Sequence, residues 1–258
     1  MVADMFRAQH YPNKRLVIVE NGDAIGATRE AGVVPHMVTT SEPHVSHARN
    51  AGIDLVRDLG GEWTAQWDDD DYYGPHYLSE LAFSIVNECG DLLGKRRHFV
   101  AFRDHGLYLF NAINQNKRAH YLHGPTLCFN AQRYPDVRYS IVEEGEDLLF
   151  CDAMQRRGAF IYGQSIHHFC YTRGHHVDHT FKGSPEFVAR ISKGNDFVYW
   201  LGHRVPAQVI DGTQDWRRFV LERQGDRTES PIIPGDARPV LRIEGTHVSI
   251  DLQADYIH

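Results

Sequence analysis

The stretch Glu62-Trp63-Thr64-Ala65-Gln66-Trp67-Asp68-Asp69-Asp70-Asp71 couples a short apolar segment to four consecutive aspartates. Unit charges about 4 Å apart repel by roughly 1 kcal/mol in water and by about 4 kcal/mol at an effective dielectric of about 20. An exposed loop tolerates that repulsion, whereas the end of a buried strand needs a cation. Trp63, Ala65 and Trp67 alternate as the inner face of a strand would, and Tyr72, Tyr73 and Pro75 close the turn behind them. The aspartates are therefore expected at the carboxyl end of a core strand, where open α/β sheets bind ligands.

Upstream of this stretch, a helix is predicted from His44 to Leu59, because Ala48, Gly52, Leu55, Val56 and Leu59 recur at helical spacing and Gly60-Gly61 supplies a stop. Arg15 to Glu20 reads as a buried strand stopped by Asn21-Gly22, and Val33 to Thr39 as a second strand. Met1 to His10 places Val2, Met5 and Phe6 on one face of a short helix. Downstream, Pro75 suits the first position of a helix, with Leu78, Leu81, Ala82, Ile85, Val86 and Cys89 as its apolar stripe and Gly90 as its stop. Strands are expected around His98 to Phe102, Leu107 to Phe110 and Pro125 to Asn130. A helix follows from Glu146 to Arg157, with Leu149, Phe150 and Ala153 inward and Gly158 as its cap. Phe160 to Tyr162 and His168 to Tyr171 are short strands. Alternation of strand and helix over the first 90 residues argues for a mainly parallel sheet.

Past residue 181 the pattern weakens. Pro185 to Ile191 reads as helical, Phe197 to Leu201 as a short apolar run, and Gly225 to Pro239 as a linker rich in Gly, Pro, Asp and Ser. Val240 to Ile243 and His247 to Leu252 alternate as a terminal hairpin.

A chain of 258 residues fits one large domain, or one domain with an appendage. Its 42% apolar and 24% charged content is ordinary for a soluble globular protein. A net charge of −7 gives no overall basic character to favour nucleic acid or anionic membrane. Lys95-Arg96-Arg97 is a short basic cluster and reads as solvated surface. Cys89, Cys128, Cys151 and Cys170 contain no CxxC pair, and three lie in apolar runs as buried thiols, so a reducing, cytoplasmic setting is expected. No apolar run resembles a signal peptide, and none reaches the roughly 18 residues of a membrane span. His175, His176 and His179 form HHxxH, a spacing that could share a Zn²⁺ on a helix, although Gly174 and the polar neighbours suggest a loop.

The order of these elements resembles the family-2 glycosyltransferases. Arg49-Asn50-Ala51-Gly52-Ile53, Gly61-Glu62-Trp63, Trp67 to Asp71 and then Pro75 follow that family's run, approximately "ARNxGIxxAxGEYIxFLDxDDxxxP". Gly124 to Phe129, Gly145-Glu146-Asp147 opening a helix, and Tyr171-Thr172-Arg173-Gly174-His175-His176 match later landmarks. The resemblance covers about residues 1 to 181 and implies a GT-A fold, a Rossmann-like, mainly parallel sheet flanked by helices. A nucleotide-sugar half (about 1–90) and an acceptor half (about 91–181) make up that domain, with 182–258 as a C-terminal extension.

The implied reaction is transfer of a sugar from a nucleotide diphosphate sugar, UDP by family default, to an acceptor hydroxyl, with inversion at the anomeric centre. A pyrophosphate leaving group needs its charge neutralised, and Mg²⁺ or Mn²⁺ held by hard oxygen ligands does that. By position in the motif, Asp70 is the direct metal ligand and Asp68 faces the ribose or a metal-bound water. Asp69 and Asp71 are alternatives, because four adjacent carboxylates leave the register open. His175 or His176 would complete the cation site. An acceptor hydroxyl needs a general base within hydrogen-bond reach. The family's base falls on Asp147, with Glu146 orienting the acceptor or sharing the role. Arg49 matches a position that approaches the nucleotide, and Glu20 and Asn21 match the strand end that reads the base. Each has a plainer reading. The run is a solvated acidic turn or an adventitious Ca²⁺ site, Glu146-Asp147 complements a helix dipole, and Arg49 is a structural ion pair.

The family's first strand, roughly "VSVIIPTYNR", has no counterpart here, and Gln9-His10-Tyr11-Pro12-Asn13 matches the "QxYPN" that follows it. A degenerate module that binds a nucleotide sugar or glycan without turnover is therefore the alternative function. The acceptor stays open among glycan, lipid-linked sugar, small molecule, protein and modified nucleobase, as does the oligomeric state.

Overall fold

In chain order the computed structural model runs α1 (Val2–Ala8), β1 (Val17–Asn21), β2 (His36–Thr40), α2 (Val45–Asp58), β3 (Trp63–Ala65), β4 (Tyr72–Tyr73), α3 (Tyr77–Val86), β5 (Leu92–Gly94), β6 (Phe99–Phe102) and β7 (Gly106–Phe110). It continues with β8 (Lys117–Arg118), a 3₁₀ turn at Gly124–Thr126, β9 (Cys128–Asn130), α4 (Glu146–Arg156), β10 (Ile161–Gly163), β11 (Phe169–Arg173), β12 (Val198–Gly202), α5 (Ala207–Ile210), β13 (Arg238–Glu244) and β14 (His247–Gln253). It describes residues 2–21, 36–40, 42, 44–102, 106–110, 115–173, 198–202, 205, 207–215, 238–244 and 247–253.

Among the described residues, the three longest helices end in the same way. Past α2, the Gly61 N–H donates to the Val56 carbonyl and the Gly60 N–H to Arg57, both at 2.8 Å, with Gly60 at φ +72°. Past α4, the Ala159 N–H donates to Met154 and the Gly158 N–H to Gln155, with Gly158 at φ +78°. These are Schellman closures with glycine in the left-handed position. Helix α3 closes likewise, Cys89 N–H to Ser84 and Glu88 N–H to Ile85, but the left-handed residue is Glu88 at φ +51°. The expected stop at Gly90 thus gives way to Glu88. Pro75 lies in the turn before α3, where the Tyr77 N–H donates to the Gly74 carbonyl and the Leu78 N–H to the Gln9 side chain, both at 3.0 Å.

The chain divides into two units. The first comprises Met1–Asp69, Leu78–Arg96 and Asn116–Gln164. In it β1 and β2 pair in parallel, and a five-stranded sheet has the order β3-β9-β5-β10-β8. Its core gathers Ile53, Leu92, Leu127, Phe129, Phe150 and Met154. Phe150 packs edge-on to Phe129 at 5.0 Å and stacks on Tyr139 at 4.3 Å between centroids. The second unit comprises Asp70–Tyr77, Arg97–Gln115 and Ser165–His258. Its five-stranded sheet has the order β12-β7-β6-β11-β4, and β13 and β14 form a separate antiparallel hairpin.

The fold is mixed α/β. In the five-stranded sheets only β5–β10 and β6–β11 pair in parallel, among the described residues. The expected mainly parallel arrangement is diluted because β9 returns antiparallel between β3 and β5, and β7 folds straight back on β6. Hydrophobic periodicity marks a strand without specifying its partner's direction.

Several faces differ from expectation. In β3 the buried residue is Thr64, with Trp63 and Ala65 half-buried, so the tryptophans do not form the inner face. Helix α2 buries Ser46, Arg49 and Ile53, while the predicted Ala48, Gly52, Leu55, Val56 and Leu59 are half-buried. Helix α3 buries Tyr77, Leu81 and Ser84 and leaves Val86 exposed. Helix α4 buries Phe150, Cys151 and Met154 rather than Leu149. Lys95 and Arg97 are buried, contrary to a solvated cluster. Lys95 pairs with Glu80, and its ammonium is pulled below its usual range by burial, against the pull of Glu80. All four cysteines are free, and Cys128, Cys151 and Cys170 are buried as expected. The predicted helix at 185–191, the HHxxH histidines and the 225–237 part of the linker lie outside the described residues.

Candidate active site

Helix α2 organises the site in the first unit. His44 is its N-cap, its Nδ1 accepting from the Ser46 N–H at 3.1 Å. The same helix fastens the loop that leads into α4. His44 Nε2 lies 2.6 Å from the Val142 carbonyl, and Ser46 Oγ donates to Ser140 at 2.8 Å. Asn50 grips the Tyr139 backbone both ways, at 3.0 and 2.9 Å. These bonds fix where Gly145-Glu146-Asp147 enters the fold.

One turn of α2 also presents Arg49, whose side chain is only 8% exposed. Its Nη1 donates to Glu146 Oε1 at 2.7 Å, and its Nη2 lies 3.4 Å from both oxygens of Asp68. The guanidinium also sits 5.2 Å from the Tyr139 ring centroid. Burial opposes the Arg49 charge, but Asp68, Tyr139 and Glu146 outweigh it and hold the group above its ordinary range. Arg49 thus ties the start of the aspartate run to the start of α4.

Asp147 lies in the first turn of α4, behind Gly145 in the left-handed region at φ +82°. Its Oδ2 accepts from the Gly124 N–H at 3.2 Å and its Oδ1 from the Leu148 N–H at 2.8 Å. Two backbone donors thus hold the carboxylate at the start of α4. Gly124 has little room. A Cβ there would lie 3.2 Å from the Asp147 Cβ, 3.4 Å from its Oδ2 and 3.6 Å from Arg49 Nη1. The first unit therefore brings together Arg49, Asp68, Gly124, Glu146 and Asp147.

Strand β3 ends at Ala65, so the aspartates occupy the loop to β4 rather than the strand end itself. Within the run the four carboxylates differ. Asp71 is 2% exposed, and its Oδ1 accepts from the Thr172 N–H at 2.8 Å. The Thr172 hydroxyl donates to the Asp70 carbonyl, and Arg173 Nη1 lies 3.8 Å from Asp70 Oδ2 and 3.7 Å from Asp71 Oδ1. Asp69 is exposed. Asp68, Asp70 and Asp71 each offer an oxygen within 4.8 Å of the others. Three hard oxygen donors in one short run fit Mg²⁺ or Mn²⁺.

Glu20 is buried near the end of β1, and Asn21 closes that strand opposite Thr40. His175 and His176 lie outside the described residues. Sequence reasoning assigned no role to Gly124, Thr172 or Arg173, although all three stand within quoted landmarks. The signal available was an arginine inside the Tyr171 to His176 landmark, in a chain with an acidic run.

No family model matches the chain, and no curated protein matches it. Solved structures do. The S. aureus TarS 1–349 structure in complex with UDP-GlcNAc is 14% identical, covering 75% of this chain and 62% of that one, at a TM-score of 0.50. A second S. aureus TarS structure is 14% identical over 66% of this chain and 33% of that one, at a TM-score of 0.48. A chain assigned as a nucleotide-diphospho-sugar transferase, from Desulfovibrio desulfuricans G20, is 15% identical over 87% of this chain and 80% of that one, at a TM-score of 0.41. The chain thus spans 62% of the length of TarS 1–349 and shares its fold. Among the described residues no helix is long and apolar enough to cross a membrane.

Proposed function

We propose that the chain is an inverting, metal-dependent glycosyltransferase of the family-2, GT-A type. One observation carries this reading. Arg49 bridges Asp68, at the donor-side aspartate run, to Glu146, beside the carboxylate that would act as base. The donor is a nucleotide diphosphate sugar, with UDP as the first choice because the TarS structure that shares this fold holds UDP-GlcNAc. Residues 1–90 form the nucleotide-sugar half, 91–181 the acceptor half and 182–258 an extension. Buried free cysteines suit a cytoplasmic setting.

Asp70 and Asp68 would hold Mn²⁺ or Mg²⁺, with His175 or His176 completing the set, and the ion would neutralise the charge of the departing pyrophosphate. Glu20 and Asn21 contact the nucleobase, and Asp69, exposed beside the run, faces the donor. Asp147 accepts the proton of the acceptor hydroxyl as that oxygen bonds to the anomeric carbon. Its bonds to the Gly124 and Leu148 amides fix the carboxylate plane and leave lone pairs for the incoming hydroxyl. Glu146, clamped by Arg49, orients the acceptor.

The test is product formation from labelled nucleotide sugars across glycan, lipid-linked, small-molecule, protein and nucleobase acceptors. Asp70→Ala and Asp147→Ala are each expected to lower turnover by about 100-fold or more. Turnover unchanged in both overturns the assignment, and binding without any product selects the non-catalytic module instead.

A further inference from the structure

Arg173 ends β11 with its side chain 10% exposed. Its guanidinium lies over the Tyr171 ring, and its Nη1 donates to the Thr172 carbonyl at 2.5 Å. The same nitrogen stands 3.8 Å from Asp70 and 3.7 Å from Asp71, two of the three carboxylates that form the cation-sized oxygen group. Charge-assisted hydrogen bonds run at about 2.7–2.9 Å, so these contacts are electrostatic rather than bonded. They place a positive charge beside both carboxylates. Thr172 holds the same two residues by its N–H and its hydroxyl, so the charge and the run are fixed to one strand end.

We infer that Arg173 determines the affinity of this site for its cation, as a built-in counter-charge that stands in for the metal and competes with it. The inference rests on the cation reading of Asp68 to Asp71 given above. In the metal-free protein Arg173 offsets the repulsion between Asp70 and Asp71. A divalent ion at those carboxylates then meets a like charge a few ångströms away, in surroundings where such repulsion is poorly screened. The ion alone is therefore bound weakly, and removing the guanidinium tightens it while leaving the metal-free run unbalanced.

The experiment is Mn²⁺ titration of the full chain by electron paramagnetic resonance, with thermal melting of the same samples. Arg173→Gln is expected to bind Mn²⁺ about tenfold more tightly than wild type, to melt lower without metal and to regain that loss at saturating Mn²⁺. Arg173→Lys keeps the charge and is expected to stay within about threefold of wild type. Arg173→Met, which retains an apolar stem against Tyr171, repeats the Gln measurement should that variant fold poorly. Unchanged or weaker Mn²⁺ binding in the neutral variants overturns the inference, as does a neutral variant that stays unfolded at saturating Mn²⁺. Donor binding is read in parallel by adding nucleotide sugar. Intact donor binding with unchanged Mn²⁺ affinity refutes only the role of Arg173, whereas tightened Mn²⁺ binding without any donor refutes only the transferase reading.

Discussion

Nη1 of Arg49 lies 2.7 Å from Oε1 of Glu146, a residue 97 positions further along the chain, while Nη2 faces Asp68. A fork of this kind fixes two carboxylates relative to each other, which a point charge cannot do. Arg49→Gln is expected to cut transfer by about 100-fold, the scale of a misplaced reacting group. Arg49→Lys should recover only a small part of that loss. Steady-state rates for the two variants check this, and full activity in Arg49→Lys would show that charge alone suffices.

Gly124 tests the aim of Asp147. A Cβ at 3.2 Å from the Asp147 Cβ forces that side chain to yield by a few tenths of an ångström. Gly124→Ala should therefore lower kcat by about tenfold with little change in melting temperature. A kcat equal to wild type would separate Asp147 from the chemistry.

Glu88 carries the left-handed closure of α3 at φ +51° without being glycine. L-residues other than glycine pay roughly 1 kcal/mol for that conformation. Glu88→Gly should accordingly raise stability by about 0.5 kcal/mol, after the greater entropy of glycine in the unfolded chain is subtracted. Urea denaturation measures it, and a loss of stability would contradict the strain.

Asp211 gives the second unit a pH signature. Burial lifts its carboxyl from an ordinary 3.8 to about 6, although the Tyr72 hydroxyl donates to both of its oxygens at 3.3 Å and pulls the other way. Between those values the folded chain keeps a proton that the unfolded chain has released. Stability from this group therefore falls as pH rises from about 4 to about 6 and is level above that. Asp211→Asn should flatten this slope, so wild type gains on the variant as pH is lowered from 7 to 5 in melting experiments. Parallel curves would contradict the assignment.

What the sequence made legible follows from how local each signal is. The ends of α2 and α4 were readable because Gly60 and Gly158 bond three positions back, and Gly61 and Ala159 bond five positions back. The grouping of Arg49, Glu146 and Asp147 was readable only through ordered landmarks, since 97 residues separate the ends of the ion pair. Lys95 was misread because its partner Glu80 lies 15 positions away on another element, and an isolated basic triplet defaults to the surface. The inner face of β3 was misassigned because both sides of the strand are partly covered, so tryptophan size misled where Thr64 is the buried residue. Strands β5 and β8, three and two residues long, are too short for periodicity to register. Within the aspartate run, adjacency hid the register. The Thr172 amide turns Asp71 inward and leaves Asp68 and Asp70 half-buried.

Calorimetric titration of the chain with UDP-sugars, with and without Mn²⁺, tests the central claim most directly. Saturable binding that requires Mn²⁺ and disappears in Asp70→Asn is the predicted result. Absence of binding to any nucleotide sugar, or binding that is indifferent to both Mn²⁺ and Asp70, would contradict it.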